Sequence, residues 1–345
     1  MKKRETELDI LRLMAMMAVI WVHVGGMETD TLPPADPGCR WLIFLKSVMT
    51  WEIPVYVMIS GRFFLDPDRQ MPFSKIVKAI SRLVIAFAVW NIVYQAYYIL
   101  AGFYTGLNWK GIISQALIGP YHFWYLYMIT GLYLITPFLR RIAADRQLSV
   151  YFIGLFLLFS LLNRYITVLP FIGPTLSQML GHMHLNFVLG YAGYYVLGCY
   201  LRRYPLSDRQ EMILYIAGGA LILLGAGANT WQSVRDGAYN EWYTHYTAPN
   251  TAIAAAAVYT LFTKRISRVR FSEKTIGWIE KLSEYSFGVY LIHALVVALF
   301  EQAGLTPVRL HPLLSMPLIT LLAFAVTASL VALLRKIPHV GRKIT

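Results

Sequence analysis

The chain has 345 residues, 57% of them hydrophobic and 14% charged, with a net charge of +13. Its mean hydropathy of +0.52 excludes a water-exposed globular enzyme and leaves no room for a sizeable soluble domain. The positive charge invites a nucleic-acid reading, but it is concentrated in alternate connections between apolar segments, which is the mark of membrane topology.

The first apolar stretch, residues 8–27, is long enough to cross a bilayer yet contains Arg12 and His23. A cation at membrane depth costs roughly 2.5–3.5 kcal/mol on insertion scales, so such groups face protein or a water-filled cavity. Eleven steps of about 100° return within about 20° of the starting direction, so the two side chains share one helix face, about 16–17 Å apart along the axis. Lys2, Lys3 and Arg4 resemble the start of a signal peptide. Asp9 and Arg12 interrupt the apolar run, however, and no small-x-small cleavage pattern follows His23, so a retained helix is expected.

Ten apolar segments follow from hydropathy: 8–27, 41–65, 78–102, 121–139, 147–163, 183–201, 211–229, 247–264, 283–303 and 313–335. The fold class is therefore all-α: a polytopic membrane protein of about ten transmembrane helices, organised as a single integral-membrane domain over 1–345. An even number of spans places both termini on one side. One set of connections holds Arg69, Lys75, Arg140, Arg141, Arg146, Arg202, Arg203, Arg209 and the basic stretch 264–281. The other holds only Arg40, Lys110, Arg164, Arg235 and Arg309. Both termini are thus expected to be cytoplasmic. Cys39 and Cys199 then fall at opposite faces, so neither a disulfide nor a metal site is expected.

In chain order, the second segment buries Lys46 and Glu52, contains Pro54 and ends near Ser60-Gly61. A kinked, tightly packed helix is expected there. Glu52 is too short to reach the surface, so a functional role or pairing with Lys46 is expected. The third segment opens with Lys75, Lys78 and Arg82 on one face. The fourth opens with Tyr121, His122 and Trp124 at the outer surface. The outer connections 103–120, 164–182 and 230–246 are long and aromatic. The inner connection 265–282 reads as a short amphipathic helix. His293, near the middle of the ninth segment, reads as bonding a helix carbonyl. Most outer aromatics, Trp242 among them, also fit an interfacial belt.

His23, Glu52 and His122 fall in the outer half of the bilayer; Arg12, Lys78 and Arg82 fall in the inner half. A histidine beside a carboxylate is the usual general-base pair, and a cationic cluster anchors phosphate groups. Acyl transfer from a CoA thioester to a hydroxyl needs both, separated by the length of an extended pantetheine arm. CoA is cytoplasmic, so a base at the outer face implies delivery of the acyl group across the membrane. A different class also suits intramembrane Arg, Glu and His: a proton-coupled transporter or flippase of a lipid-linked or small anionic substrate. Such carriers often show internal repeats, and no repeat is evident here.

The R-x10-H pair of Arg12 and His23 resembles the signature of the acyltransferase 3 family of integral-membrane O-acyltransferases. The resemblance extends through IPVYVMISGRFFL (53–65), HFWYLYMITGLYLITPFL (122–139), VLGYAGYYVLGCYL (188–201) and SFGVYLIHALV (286–296). It implies transfer of an acyl group, acetyl in the first instance, from cytoplasmic acetyl-CoA to a carbohydrate hydroxyl, by a multi-pass protein of the inner (cytoplasmic) membrane. The carbohydrate is a cell-surface glycan or a lipid-linked sugar; no nucleic acid and no metal are expected. By motif position Arg12, His23 and Arg82 carry over. The candidate site is then His23 and Glu52 as catalytic groups, Arg12, Arg82 and Lys78 holding the donor, and His122, Trp124 and Tyr121 receiving the acceptor. Glu52 departs from the family pattern, and its role rests on its position.

Overall fold

The computed structural model describes residues 5–104, 108–166, 169–183, 190–338 and 341–345. In chain order the helices are α1 (Thr6–Gly26), α2 (Pro37–Val48), α3 (Glu52–Phe64), α4 (Phe73–Leu100), α5 (Trp109–Ile118), α6 (Trp124–Ala144), α7 (Arg146–Leu155), α8 (Asn163–Ile166), α9 (Gly173–His182), α10 (Ala192–Arg203), α11 (Asp208–Asp236), α12 (Pro249–Lys264), α13 (Glu273–Gln302), α14 (Pro312–Leu334) and α15 (Gly341–Ile344). There is no strand among the described residues. Six helical spans among them are long and apolar enough to cross a membrane: Thr6–Gly26, Pro37–Phe64, Phe73–Leu100, Asp208–Asp236, Glu273–Gln302 and Pro312–Leu334. The remaining expected segments fall on α6, α7, α10 and α12. Lys2, Lys3, Arg4 and residues 184–189, including the start of the 188–201 motif, lie outside the described residues.

Local chemistry sets the helix ends. The Asp36 side chain accepts from the backbone N–H of Gly38 and Cys39 ahead of α2, with Pro37 at its first position. Ser207 and Gln210 close a capping box on α11, and Gly237 ends it in the left-handed conformation. Ser272 caps α13 through Thr275 N. The outward faces are apolar: Val84, Ile85, Ile92 and Ile99 on α4 and Leu314, Leu318 and Leu321 on α14 are all exposed. Water would penalise that arrangement; lipid does not. The protein is a multi-pass membrane protein.

The structure revises several expectations. Segment 41–65 is two helices, α2 and α3, broken at residues 49–51. Pro54 is the third residue of α3, where a backbone N–H would have no helical partner anyway, so it opens a helix and does not kink one. The stretch 265–282 is not a separate amphipathic helix: one 3₁₀ turn (Ile266–Arg268) precedes α13, which begins at Glu273 and runs unbroken. The outer connections contain helices of their own, α5 and α9.

Two glycines fix the packing of α3 against α10. A Cβ on Gly61 would sit 1.9 Å from the Tyr195 carbonyl oxygen, and one on Gly198 would sit 2.1 Å from the Met58 carbonyl oxygen. Close approach of backbones is the role small residues play between membrane helices. The basic end of the bundle is tied by an ionic collar. Arg62 pairs with Glu5. Arg69 pairs with Glu5 at 3.4 Å and Asp66 at 3.2 Å. Arg202 pairs with Asp66 at 2.9 Å. Arg140 donates to the carbonyl oxygens of Phe64, Asp66 and Arg69 at 2.7, 2.8 and 2.7 Å. The collar joins the start of α1 to α3, α6 and α10.

Candidate active site

Helix α1 runs through the interior of the bundle, and its Arg12–His23 face is lined on both sides by other helices. Arg12 is half-buried. Its Nη1 donates to Asp9 Oδ1 at 2.9 Å and to Ser283 Oγ at 2.9 Å, and Ser283 Oγ donates to the same carboxylate oxygen at 2.6 Å. The Arg12 carbonyl accepts from Tyr56 at 2.9 Å. These contacts fasten α1 to α13 and α3 and hold the guanidinium in one place, where a fixed planar fork suits directed hydrogen bonding. The rest of the guanidinium lines a cavity of about 150 Å³. Five of its eleven lining residues are aromatic, Tyr56, Tyr125, Tyr133, Phe287 and Tyr290, and it also touches Val19, further along the same face of α1.

Beyond Tyr290 lies a group of three histidines. The His23 ring is centred 5.0 Å from His293 and 6.5 Å from His122, and the last two are 5.3 Å apart. Tyr121 stands edge-on to His23 at 5.3 Å, with its hydroxyl 3.3 Å from His23 Nδ1. His122 is buried in an aromatic box that includes Tyr94, Phe123 and Tyr290, and its carbonyl accepts from Tyr290 at 2.6 Å. His293 Nδ1 faces the Tyr290 carbonyl at 2.7 Å, the helix-carbonyl bond expected from its sequence position. Its Nε2 is buried without a hydrogen-bond partner among the described residues. Its place beside His23 was not legible, because the packing of α13 on α1 leaves no mark in local spacing.

Glu52 is buried and belongs to a neighbouring aromatic group. Its Oε1 accepts from the Tyr246 hydroxyl at 2.7 Å, and Oε2 has no hydrogen-bond partner among the described residues. Tyr246 in turn lies 5.6 Å from the Trp124 ring, which also meets Tyr191 at 5.6 Å. Lys46, the partner expected for Glu52, sits instead with Nζ 4.2 Å from the centre of the Tyr239 ring. Trp242 is covered on one face by the Arg164 guanidinium at 4.1 Å. Nearby, burial and then the Arg164 charge hold the His245 imidazole below its usual pKa, so that neutral Nδ1 accepts from Thr247 N at 3.2 Å.

Among the expected donor cations, Lys78 is exposed on α4. Arg82 lies over the Phe287 ring at 4.8 Å, on the wall of the Arg12 cavity, and donates to the Thr345 carbonyl at 3.1 Å. Trp90 donates to the Ile344 carbonyl at 2.7 Å, so α15 and Thr345 are held against α4. Arg12, His23 and His122 thus line up along one interior column, with the largely exposed Tyr121 beside His23. Arg82 borders it, while Glu52 and Trp124 form a second group joined through Tyr246.

A sequence profile described as an acyltransferase domain matches residues 5–335. The chain belongs to the acyltransferase 3 family. It is a membrane acyltransferase. No curated protein and no solved structure matches it.

Proposed function

We propose that the protein is an O-acyltransferase that takes an acyl group, acetyl in the first instance, from cytoplasmic acyl-CoA and delivers it to a carbohydrate hydroxyl on the far side of the cytoplasmic membrane. The observation that carries this reading is the column itself: a fixed arginine, a narrow aromatic cavity and a histidine group in sequence along one helix face. The basic end faces the cytoplasm on the positive-inside pattern. The cavity suits the slender pantetheine arm, with Arg12 placed for its amide or phosphate oxygens and Arg82 behind it, over the Phe287 ring. His23 accepts the proton of the acceptor hydroxyl as its oxygen attacks the thioester carbon. The new C–O bond forms, the C–S bond breaks, and the proton passes to the departing sulfur, leaving an ester and free CoA. Tyr121 orients the His23 ring through Nδ1, and His293 is near enough to influence its charge. Glu52 stands outside this column, bonded to Tyr246 in the second aromatic group.

The test is thiol release from acetyl-CoA by the purified protein in nanodiscs, with wild type, His23→Ala and Arg12→Ala compared. The expected result is slow release by wild type, its loss in His23→Ala, and a raised acetyl-CoA requirement in Arg12→Ala. Absence of release and of acetyl-CoA binding, with envelope glycans present, would refute acetyl transfer and favour a carrier, which consumes no thioester.

A further inference from the structure

A larger cavity, about 540 Å³, lies at the opposite end of the column between α4, α5 and α13. We propose that it is the acceptor subsite and that it takes a pyranose ring of the glycan, an inference that rests on the acyl-transfer reading above. Its volume falls within the roughly 300–1,000 Å³ of small-ligand sites. Tyr121 belongs to both places: it lines this cavity, and its hydroxyl meets His23. Tyr290 lines the donor cavity and neighbours His293. Each cavity therefore shares a tyrosine with the histidine group, Tyr121 on one side and Tyr290 on the other, so that a hydroxyl in one and a thioester in the other would meet at the histidines.

The lining points to a sugar. Tyr97, Tyr98 and Phe103 form a cluster with ring centres 5.5 to 6.1 Å apart. Such rings offer flat apolar faces to the C–H surface of a pyranose. Tyrosine hydroxyls and Gln115 add polar groups around the same space. Tyr97 accepts from Gln302 at 2.8 Å, Tyr104 donates to Gln95 and Tyr121 meets His23, which leaves the Tyr98 hydroxyl and Gln115 to bond sugar hydroxyls. A hydrocarbon tail would leave those two unpaired when buried, at a cost of about 1–3 kcal/mol each. Tyr94 is already committed, donating to Leu291 O and accepting from Leu295 N, both at 3.0 Å. On the α13 side, Ala294 and Ala298 leave the room open.

One wall of the cavity is α5, a ten-residue helix none of whose residues is buried and whose Trp109, Leu117 and Ile118 are strongly exposed. It is fixed by Tyr127 donating to Leu117 O at 2.7 Å and by Asn91 donating to Ala116 O. Gly119 ends it at φ +78°, with the Phe87 ring 3.0 Å from where a Cβ would sit. An exposed apolar helix of this kind belongs in the membrane interface. The glycan is thus met at the membrane surface, either carried by a lipid or as part of a free polysaccharide.

The experiment uses a deletion strain of the source organism carrying wild type, Tyr97→Leu/Tyr98→Leu, Tyr98→Phe or Ala298→Phe. Ester content is measured separately in lipid-linked and polysaccharide fractions. Purified proteins are assayed in parallel for acceptor-free thiol release from acetyl-CoA and for thermal unfolding. The double variant is expected to lower glycan ester content tenfold or more, a larger fall than in its thiol release. Ala298→Phe, which fills the cavity from the other wall, is expected to do the same. Tyr98→Phe, which keeps the flat face and loses only the hydroxyl, is expected to lower ester content less than the double variant does. The fraction that gains ester first identifies the source of the sugar. Normal ester content in both cavity variants would overturn the proposal. An equal fall in thiol release and ester content in stably folded variants would also overturn it. Thiol release by wild type without any glycan ester would defeat this inference alone; absence of both would defeat the acyl-transfer reading beneath it.

Discussion

Replacing Gly61 by alanine is expected to part α3 from α10. The added methyl would lie 1.9 Å from the Tyr195 carbonyl oxygen and 2.7 Å from its carbon. Non-bonded contact requires about 3.5 Å, so the two helices must separate locally by about 1.5 Å. Both clashing atoms are backbone, and no side-chain rotation relieves them. Gly198 meets Met58 O in the same interface, so the shift cannot be absorbed on one side. Overpacking of this sort costs about 1–3 kcal/mol, and this site belongs at the upper end. For a chain of 345 residues, with an unfolding entropy of about 2.1 cal/mol/K per residue, about 3 kcal/mol is a fall in Tm of roughly 4 °C. Activity should fall as well, because Ile53 and Tyr56 line the Arg12 cavity and Tyr56 bonds the Arg12 carbonyl. Gly277 is the control: it is exposed near the start of α13, with nothing within 4 Å of its would-be Cβ. There alanine should stabilise by about 0.5–1 kcal/mol, through a smaller loss of backbone entropy. Thermal unfolding in one detergent compares the three proteins. A Gly61→Ala melt within about 2 °C of wild type, or an equal loss in both variants, would refute the reasoning.

Three further outcomes are expected. Tyr246→Phe leaves the Glu52 carboxylate without its bond and should cost about 1–3 kcal/mol; adding Glu52→Leu should recover part of that in a thermal melt, and strictly additive losses would count against the coupling. Arg12 holds Asp9 and Ser283 through Nη1 alone, which leaves its other nitrogens toward the cavity. Arg12→Lys has no second nitrogen to offer there and should raise the acetyl-CoA KM about tenfold; an unchanged KM in steady-state thiol release would contradict it. Tyr121→Phe removes the hydroxyl beside His23 Nδ1 and should lower kcat about three- to tenfold, the worth of one hydrogen bond; a change confined to donor KM would assign Tyr121 elsewhere.

The Arg12–His23 column was legible because helical periodicity is a local property, and eleven residues close on one face whatever surrounds them. His122 and Tyr121 were legible as neighbours in sequence at the start of an apolar segment. His293 and Tyr246 were not, since their places depend on how α13 packs on α1 and on a contact spanning 194 residues from Glu52. The break at residues 49–51 had a weak signal in Pro54, which marks a first turn as readily as a kink. Helix α5 had a clearer one: Asn108 ahead of it accepts from Gly111 N, and Gly119 closes it. Hydropathy averaged over a span-length window conceals a ten-residue helix of this kind. The two aromatic cavities, one at Arg12 and one at Tyr121, were invisible, because they depend on which aromatics turn inward.

Helices fastened at one rim behave as levers. The collar of Glu5, Arg62, Asp66, Arg69, Arg140 and Arg202 clamps α1, α3, α6 and α10 at the basic end. A 21-residue helix such as α6 is about 30 Å long, so a tilt of about 4° at the clamp swings its far tip by about 2 Å. The far tip of α6 can therefore shift by an ångström or two while the arginine end stays in register, so one frame can hold a fixed geometry at the basic rim and still accommodate guests of different girth at the other.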